Sequence, residues 1–270
     1  MLDIGANLTD PMFVGKYSGT QKHPSDLDLV LDRAWTKGLE KIIITVGTVK
    51  DVEDAVKLAN KDGKCKNVFL LHHVIDTFFT DRLYITMGCH PTRCKEFKAD
   101  PTGYYDKLCQ NIEQNRTKIV AIGECGLDYD RLKFCDAETQ RIYFEKQLDL
   151  VDKYKLPLFL HCRNSFKDFF EIIQRNADKI KLTGGVVHSF DGSLEEAKKY
   201  IDFGFYIGLN GCSLKTDEQL KVVAEIPLDK ILLETDCPWC GVRPSHAGVF
   251  KHFMFYSFNN KNCFYLKVPI

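Results

Sequence analysis

A single (β/α)8 barrel is the fold class that this 270-residue sequence predicts. Three observations predict it. Short apolar or β-branched runs alternate with amphipathic stretches until eight candidate strands have been counted. The runs are continuous rather than alternating, as expected for parallel strands covered on both faces. The length suits one barrel of about 250 residues, and repeated strand–helix alternation favours a barrel over an open sheet. A composition of 44% hydrophobic and 27% charged residues excludes a mainly disordered, collagenous or coiled-coil chain.

The elements follow in order. A weak first strand covers 3–8. Residues 25–37 read as a helix, with Ser25 as N-cap after Pro24 and Gly38 just past its end. The second strand covers 41–47, and a helix over 51–61 stops at Asp62-Gly63. The third and fourth strands cover 83–88 and 119–124. A helix over 137–155 presents Ile142, Phe144, Leu148 and Val151 at helical spacing. The fifth and sixth strands cover 156–161 and 185–188. Ser193 and Glu196 form a capping box that opens a helix ended by Gly204. The seventh strand covers 205–209, Thr216 and Gln219 form a second box, and the eighth strand covers 231–236. Gly123, Gly126, Gly184 and Gly185 read as turn glycines.

Two segments fit no element. Residues 65–80 form an extra apolar stretch whose His72 and His73 read as packing or loop. After Ala247 the alternation stops, so the helix that should close the barrel is missing. The domain reading is a barrel over 1–247, made of eight strands and seven helices with an atypical insert at 65–80. A tail over 248–270 has no assigned structure.

Lys plus Arg number 37 and Asp plus Glu 37, for a net charge of zero. A protein that grips nucleic acid through its whole-body field is basic, so any attraction to a polyanion must be local. The 11 cysteines are an odd number, scattered along the chain. They read as reduced thiols. Residues 1–5 lack the basic start and apolar run of a signal peptide, and the apolar runs at 42–44 and 68–71 are too short to cross a bilayer. The expectation is a nuclear or cytoplasmic protein with no membrane partner and no obligate protein partner.

The strand ends carry the chemistry. Apolar strands end abruptly in Glu124, in His161, in His188, in Glu234 and Asp236, and in His90 after Gly88-Cys89. In a barrel all C-terminal strand ends meet at one mouth, where catalysis occurs in this fold. Any one of these is an ordinary wet strand end. Five together make a divalent-metal set of Glu, His, His and Asp.

These residues also carry a resemblance. Residues 122–128 (Ile-Gly-Glu-Cys-Gly-Leu-Asp), His161-Cys162-Arg163, His188-Ser189-Phe190 and Glu234-Thr235-Asp236-Cys237-Pro238 resemble, in order, the motifs of the TatD family of metal-dependent deoxyribonucleases. Residues 3–8 resemble that family's opening, and Gly88-Cys89-His90-Pro91 its third-strand motif. Thr92-Arg93-Cys94, residues 210–213 and residues 239–242 resemble its eukaryotic branch. The likeness covers residues 3 to about 247, interrupted at 65–80.

The resemblance implies a TIM barrel of the amidohydrolase-like, metal-dependent hydrolase type, with one or two divalent ions and DNA as substrate. Glu124 would bridge the ions, His161 and His188 would complete one site, and Asp236 would complete the other and orient the attacking water. His90 would contact the scissile phosphate or assist proton transfer, and Arg163 would clamp phosphate. The ions would lower the pKa of water and neutralise growing negative charge. Many relatives open with His-x-His, where this chain has Gly5 and Asn7. Asn7 would be a weaker ligand, leaving Glu124, His161 and His188 as the better anchor. Imidazoles suit Mn2+ or Zn2+, whereas Mg2+ favours oxygen.

Alternatives stay open. The same site could hydrolyse another ester, such as an aminoacyl-tRNA ester. The odd insert and tail also suit an inactive or poorly folded variant with exposed apolar surface near the eighth strand. Cys237 and Cys240 match a Cys-x-x-Cys pattern, but one that follows an eighth strand rather than opening a helix in a small βαβ domain. Arg131 and Lys133 read mainly as a solvated face, with phosphate contact as the sharper reading.

Overall fold

The apolar runs pair side by side as parallel strands wrapped by helices. The computed structural model describes residues 1–62 and 81–249. Eight strands follow one another in one sheet in chain order. They are β1 (Leu2–Ala6), β2 (Lys41–Ile44), β3 (Leu83–Met87), β4 (Ile119–Asp128), β5 (Leu158–Arg163), β6 (Gly185–Val187), β7 (Phe205–Leu209) and β8 (Ile231–Leu233). Neighbours along this order pair in parallel. All eight expected strands are present. Most are shorter than expected, but β4 runs past Glu124 to Asp128.

The length of β4 has a local cause. Gly123 and Gly126 lie inside the strand, not in turns as expected, at φ of 146° and 143°. A Cβ on Gly123 would strike the carbonyl of Phe159, and one on Gly126 that of His161. Only glycine lets β4 lie this close to β5, and the register shifts between Ile122 and Cys125. Gly185 likewise lies within β6 rather than in a turn.

β1 and the chain after β8 close the barrel. The Asp236 N–H donates to Gly5 C=O (2.7 Å), and the Asn7 N–H to Cys237 C=O (2.8 Å). The buried Asp3 carboxylate accepts from the Thr235 N–H (3.0 Å) and hydroxyl (2.7 Å).

Nine helices lie among the described residues, against the seven expected. They are α1 (Leu27–Thr36), α2 (Val52–Asp62), α3 (Cys94–Ala99), α4 (Pro101–Gln114), α5 (Ala137–Tyr154), α6 (Phe166–Arg175), α7 (Ala177–Ile180), α8 (Leu194–Phe203) and α9 (Asp217–Glu225). The excess arises because two connections hold a pair each. Pro101 cannot sit inside a helix, so it starts α4 while Asp100 ends α3 and caps α4. The capping boxes at Ser193 and Thr216 form as expected.

Two helix details differ from expectation. The α1 N-cap is Asp26, not Ser25, whose hydroxyl donates to Phe13 C=O. On α5, Ile142 is 53% exposed while Tyr143, Phe144, Leu148 and Val151 are buried. The buried face is thus set by Tyr143, which stacks on Phe97.

The insert 65–80, with His72 and His73, lies outside the described residues. So does the tail beyond Val249. The backbone is helical again at 247–249, where no helix was expected. The three residues of β8 are all half-buried, whereas every other barrel strand has buried residues. Among the described residues no helix is long and apolar enough to cross a membrane.

Burial at the seam raises the Asp3 carboxyl from 3.8 to about 6, against the opposing bonds from Thr235 and Gly5. A carboxyl with a raised folded pKa binds its proton more tightly in the folded state. Its contribution is therefore greatest below about pH 4 and is lost as pH rises through 6, by up to roughly 3 kcal/mol. Asp3→Asn removes the titration. The variant's unfolding free energy should improve relative to wild type by up to that amount between pH 4 and pH 7. A difference that stays constant with pH would remove this account of the seam.

Candidate active site

Each functional side chain is set by a strand end. Gly88 brings the end of β3 against β4, since a Cβ there would lie 2.7 Å from the Gly123 backbone. The Gln147 amide of α5 clamps Cys89 by both N–H (2.6 Å) and C=O (3.1 Å). This fixes His90. Glu124 lies within β4, His161 within β5, His188 directly after β6 and Asp236 after β8. All line one cleft of about 740 Å3, together with Asn7 and Arg163. The five strand-end sites expected from the sequence therefore do meet at one mouth.

The centre of the cluster is Glu124 Oε1. It lies 2.8 Å from His161 Nδ1, 2.8 Å from His188 Nε2 and 3.4 Å from His90 Nε2. Burial works against the charge on Glu124, but His188, His90 and His161 outweigh it and hold the carboxyl well below its ordinary range. Burial also works against charge on His188, yet Glu124 and Glu234 raise it well above its ordinary value. His161 is raised too, because bonds to Asp128 and Glu124 overcome its burial. His90 goes the other way. Burial pushes it down to about 4, with Glu124 offsetting part of the fall.

The donor set fits a cation. His161 turns Nε2 to Asp128 Oδ2 (3.2 Å), leaving Nδ1 facing Glu124. His188 turns Nδ1 to Glu234 Oε2 (3.5 Å), leaving Nε2 facing the same carboxylate. A carboxylate behind each imidazole is the usual support for a ligating histidine. The two inward nitrogens are 3.2 Å apart, near the ~3.4 Å between tetrahedral ligands with bonds of ~2.1 Å. His188 Nδ1 and Glu234 Oε2 are buried and have no hydrogen-bond partner closer than each other. His90, Glu124 and His161 also offer ligand atoms within 4.8 Å of one another. However, His90 Nδ1 accepts from the Thr92 N–H (3.1 Å) and lies 2.7 Å from its hydroxyl, which puts the neutral ring's proton on Nε2. His90 thus faces Glu124 as a donor.

Asn7 sits against Asp236. Its amide NH2 donates to Asp236 Oδ1 (2.8 Å), and its oxygen accepts from the Thr45 hydroxyl (2.7 Å). Gly5 has no room for a side chain, because a Cβ would lie 2.7 Å from Glu234 Oε2 and 2.9 Å from the Phe159 ring. Arg163 pairs with Asp191 (3.1 Å) at the wall between this cleft and a neighbouring one of about 670 Å3. Arg131 lines the cleft and pairs with Asp128 (3.1 Å).

Asp128 and Glu234 had no assigned role in the sequence reading. Even spacing from Glu124 along one strand is the signal that could have found Asp128. Cys240 matches a Cys-x-x-Cys spacing with Cys237 in the sequence. Its sulfur instead meets Cys212 Sγ at 3.2 Å and donates to Asp236 Oδ2 at 3.1 Å. The Cys240 thiol lowers Cys212 to about 7, and Cys240 itself is raised. Burial pushes Cys237 up to about 12.

The family model described as TatD related DNase matches residues 2–252. This chain belongs to that family. It is 45% identical over 251 residues to Deoxyribonuclease Tat-D of Schizosaccharomyces pombe, covering 91% of this chain and 74% of that protein. It is 31% identical over 242 residues to the 3'-5' ssDNA/RNA exonuclease TatD of Erwinia tasmaniensis, covering 88% of this chain and 80% of that protein. The crystal structure of a TatD family hydrolase from Entamoeba histolytica superposes with a TM-score of 0.82 at 40% identity, covering 97% of this chain and 79% of that one. The TatD fold and the His/Glu/His cluster agree in pointing to a divalent cation.

The TatD cluster should show this in its metal binding. His161 and His188, both raised, keep their protons to higher pH than a free imidazole does, and a cation must displace them. Apparent Mn2+ affinity should therefore still be rising as pH passes the ordinary imidazole value of 6.5, with proton release on binding. Calorimetry in two buffers of different ionisation enthalpy reads both quantities. Binding that is independent of pH and of buffer would contradict the protonation assigned to the pair.

Proposed function

We propose that the chain is a divalent-metal-dependent deoxyribonuclease that hydrolyses phosphodiester bonds of DNA. The observation that carries this reading is the convergence of His161 Nδ1 and His188 Nε2 on Glu124 Oε1 in an open cleft. Its TatD relatives, a deoxyribonuclease and a ssDNA/RNA exonuclease, agree with it.

Glu124, His161 and His188 would hold one ion and Asp236 a second, with Asn7 not the direct ligand expected from the sequence but a hydrogen-bond support of Asp236. The imidazole content favours Mn2+ or Zn2+ over Mg2+. A bound divalent ion supplies positive charge to the phosphate oxygens and acidifies water. The chain's own groups then divide the work. Asp236, held by the Asn7 amide and the Cys240 thiol, orients the attacking water and takes its proton. His90 presents its Nε2–H to a phosphate oxygen, kept in that tautomer by Thr92. Arg163 offers a guanidinium whose direction Asp191 fixes. A DNA substrate and reduced thiols suit the nucleus or the cytoplasm.

Glu124→Ala should lose several kcal/mol of transition-state stabilisation, roughly a thousandfold in rate or more. Asn7→Ala should cost less, about tenfold, because it removes a support of Asp236 rather than the shared carboxylate. Cleavage of single-stranded DNA with Mn2+ measures both variants. Equal activity in Glu124→Ala and wild type would remove the site assignment.

A further inference from the structure

Two thiols meet at the edge of the cleft. Cys212 lies in the 3-10 turn after β7, and Cys240 in the turn after β8. Their sulfurs are 3.2 Å apart, against ~2.05 Å for a disulfide bond. Both are half-exposed and line the cleft, so a small solute can reach them. The backbone holds them there. A Cβ on Gly211 would strike the Cys240 carbonyl and lie 2.8 Å from the Val242 nitrogen. Only a glycine lets the two turns approach this closely. The other thiol pair among the described residues, Cys89 and Cys94, is 4.0 Å apart and buried. Solutes do not reach it.

The pair also touches the site. The Cys240 sulfur donates to Asp236 Oδ2 at 3.1 Å. Closing a bond to Cys212 would draw that sulfur away and consume the donor hydrogen.

We propose that Cys212 and Cys240 form a peroxide-sensitive modification site, closing a reversible disulfide that strips Asp236 of its thiol donor and weakens the metal centre. The oxidant is hydrogen peroxide. The thiolate of one cysteine attacks the O–O bond, giving a sulfenic acid and releasing hydroxide, which leaves as water. The second thiolate attacks the sulfenic sulfur, and the S–O bond breaks to release a second water. Two thiols and one peroxide thus become one disulfide and two waters. A dithiol reductant restores both thiols.

The effect on the metal rests on the reading of Asp236 as a site residue, whereas formation of the disulfide does not. The full chain is treated with hydrogen peroxide, digested without reduction and mapped by mass spectrometry. Mn2+ affinity is measured calorimetrically before and after, alongside DNA cleavage. We expect a peptide pair linked through Cys212 and Cys240. We also expect Mn2+ affinity and cleavage to fall about tenfold and to recover fully with dithiothreitol. Cys212→Ser and Cys240→Ser, each compared with its own untreated sample, should neither form the link nor respond to peroxide. Linkage among other cysteines only, or none, overturns the site. Linkage with unchanged Mn2+ affinity overturns its effect on the metal centre. Linkage in a protein that binds Mn2+ yet cleaves no DNA overturns the nuclease reading and leaves the thiol site standing.

Discussion

One buried carboxylate oxygen, Glu124 Oε1, receives three imidazoles within 3.4 Å in the cleft at the barrel mouth. A buried charge is costly unless it is paired and hydrogen-bonded. Here each partner is paired in turn. Asp128 stands behind His161 and Glu234 behind His188. The result is a relay of alternating charge running from one side of the barrel mouth to the other. Without a cation the two imidazoles must carry protons to face the same oxygen, and with one they need not. The same geometry that makes the metal-free cluster expensive therefore makes it receptive.

That geometry depends on backbone approach more than on side-chain packing. Glycines at 123 and 126 let β4 run on to Asp128 beside β5. This places Glu124 and Asp128 on either side of the His161 ring. Gly5 leaves the space in which Glu234 and Phe159 lie, and Phe159 stacks on His188 at 4.7 Å. The seam adds the last member. Asp3 ties Thr235, and the chain then turns at Asp236 with φ of 51°, a left-handed value that is costly for a residue with a side chain. The carboxylate that faces Asn7 is thus aimed by the closure of the barrel itself.

Much of this was legible in the sequence, because continuous apolar runs report parallel strands and their abrupt polar ends report the mouth. Glu124, His161, His188, His90 and Asp236 were found this way, and the structure brings them into one cleft. What stayed hidden depended on contacts between distant segments. Asp128 lies beyond the strand expected at 119–124 because two glycines in a strand are a breaker signal, and only the neighbouring carbonyls show why they are there. Glu234 reads as apolar-strand punctuation until its neighbour Gly5 is seen. The Cys-x-x-Cys spacing pointed Cys240 towards Cys237, while the fold turns it to a sulfur 28 residues away. Tyr143 displaced Ile142 from the buried face of α5 because helical spacing alone leaves the phase of a broad face open by one residue.

A net charge of zero gives the chain no general attraction for a polyanion. The arginines lining the cleft are engaged with carboxylates. Arg163 pairs with Asp191, Arg93 with Glu96 and Arg131 with Asp128. The guanidinium groups of Arg93 and Arg131 are exposed while Arg163 is half-buried, so solvent screens the first two pairs and a phosphate can compete for their guanidinium groups. The Arg131 pair differs from the others, because Asp128 Oδ2 is the same atom that lies 3.2 Å from His161 Nε2. A phosphate that draws Arg131 away leaves the full charge of Asp128 to the imidazole behind the ligand cluster. Greater negative charge behind a histidine raises its basicity as a ligand. The arginine at the rim and the imidazole of the ligand cluster therefore meet at one carboxylate oxygen, Asp128 Oδ2.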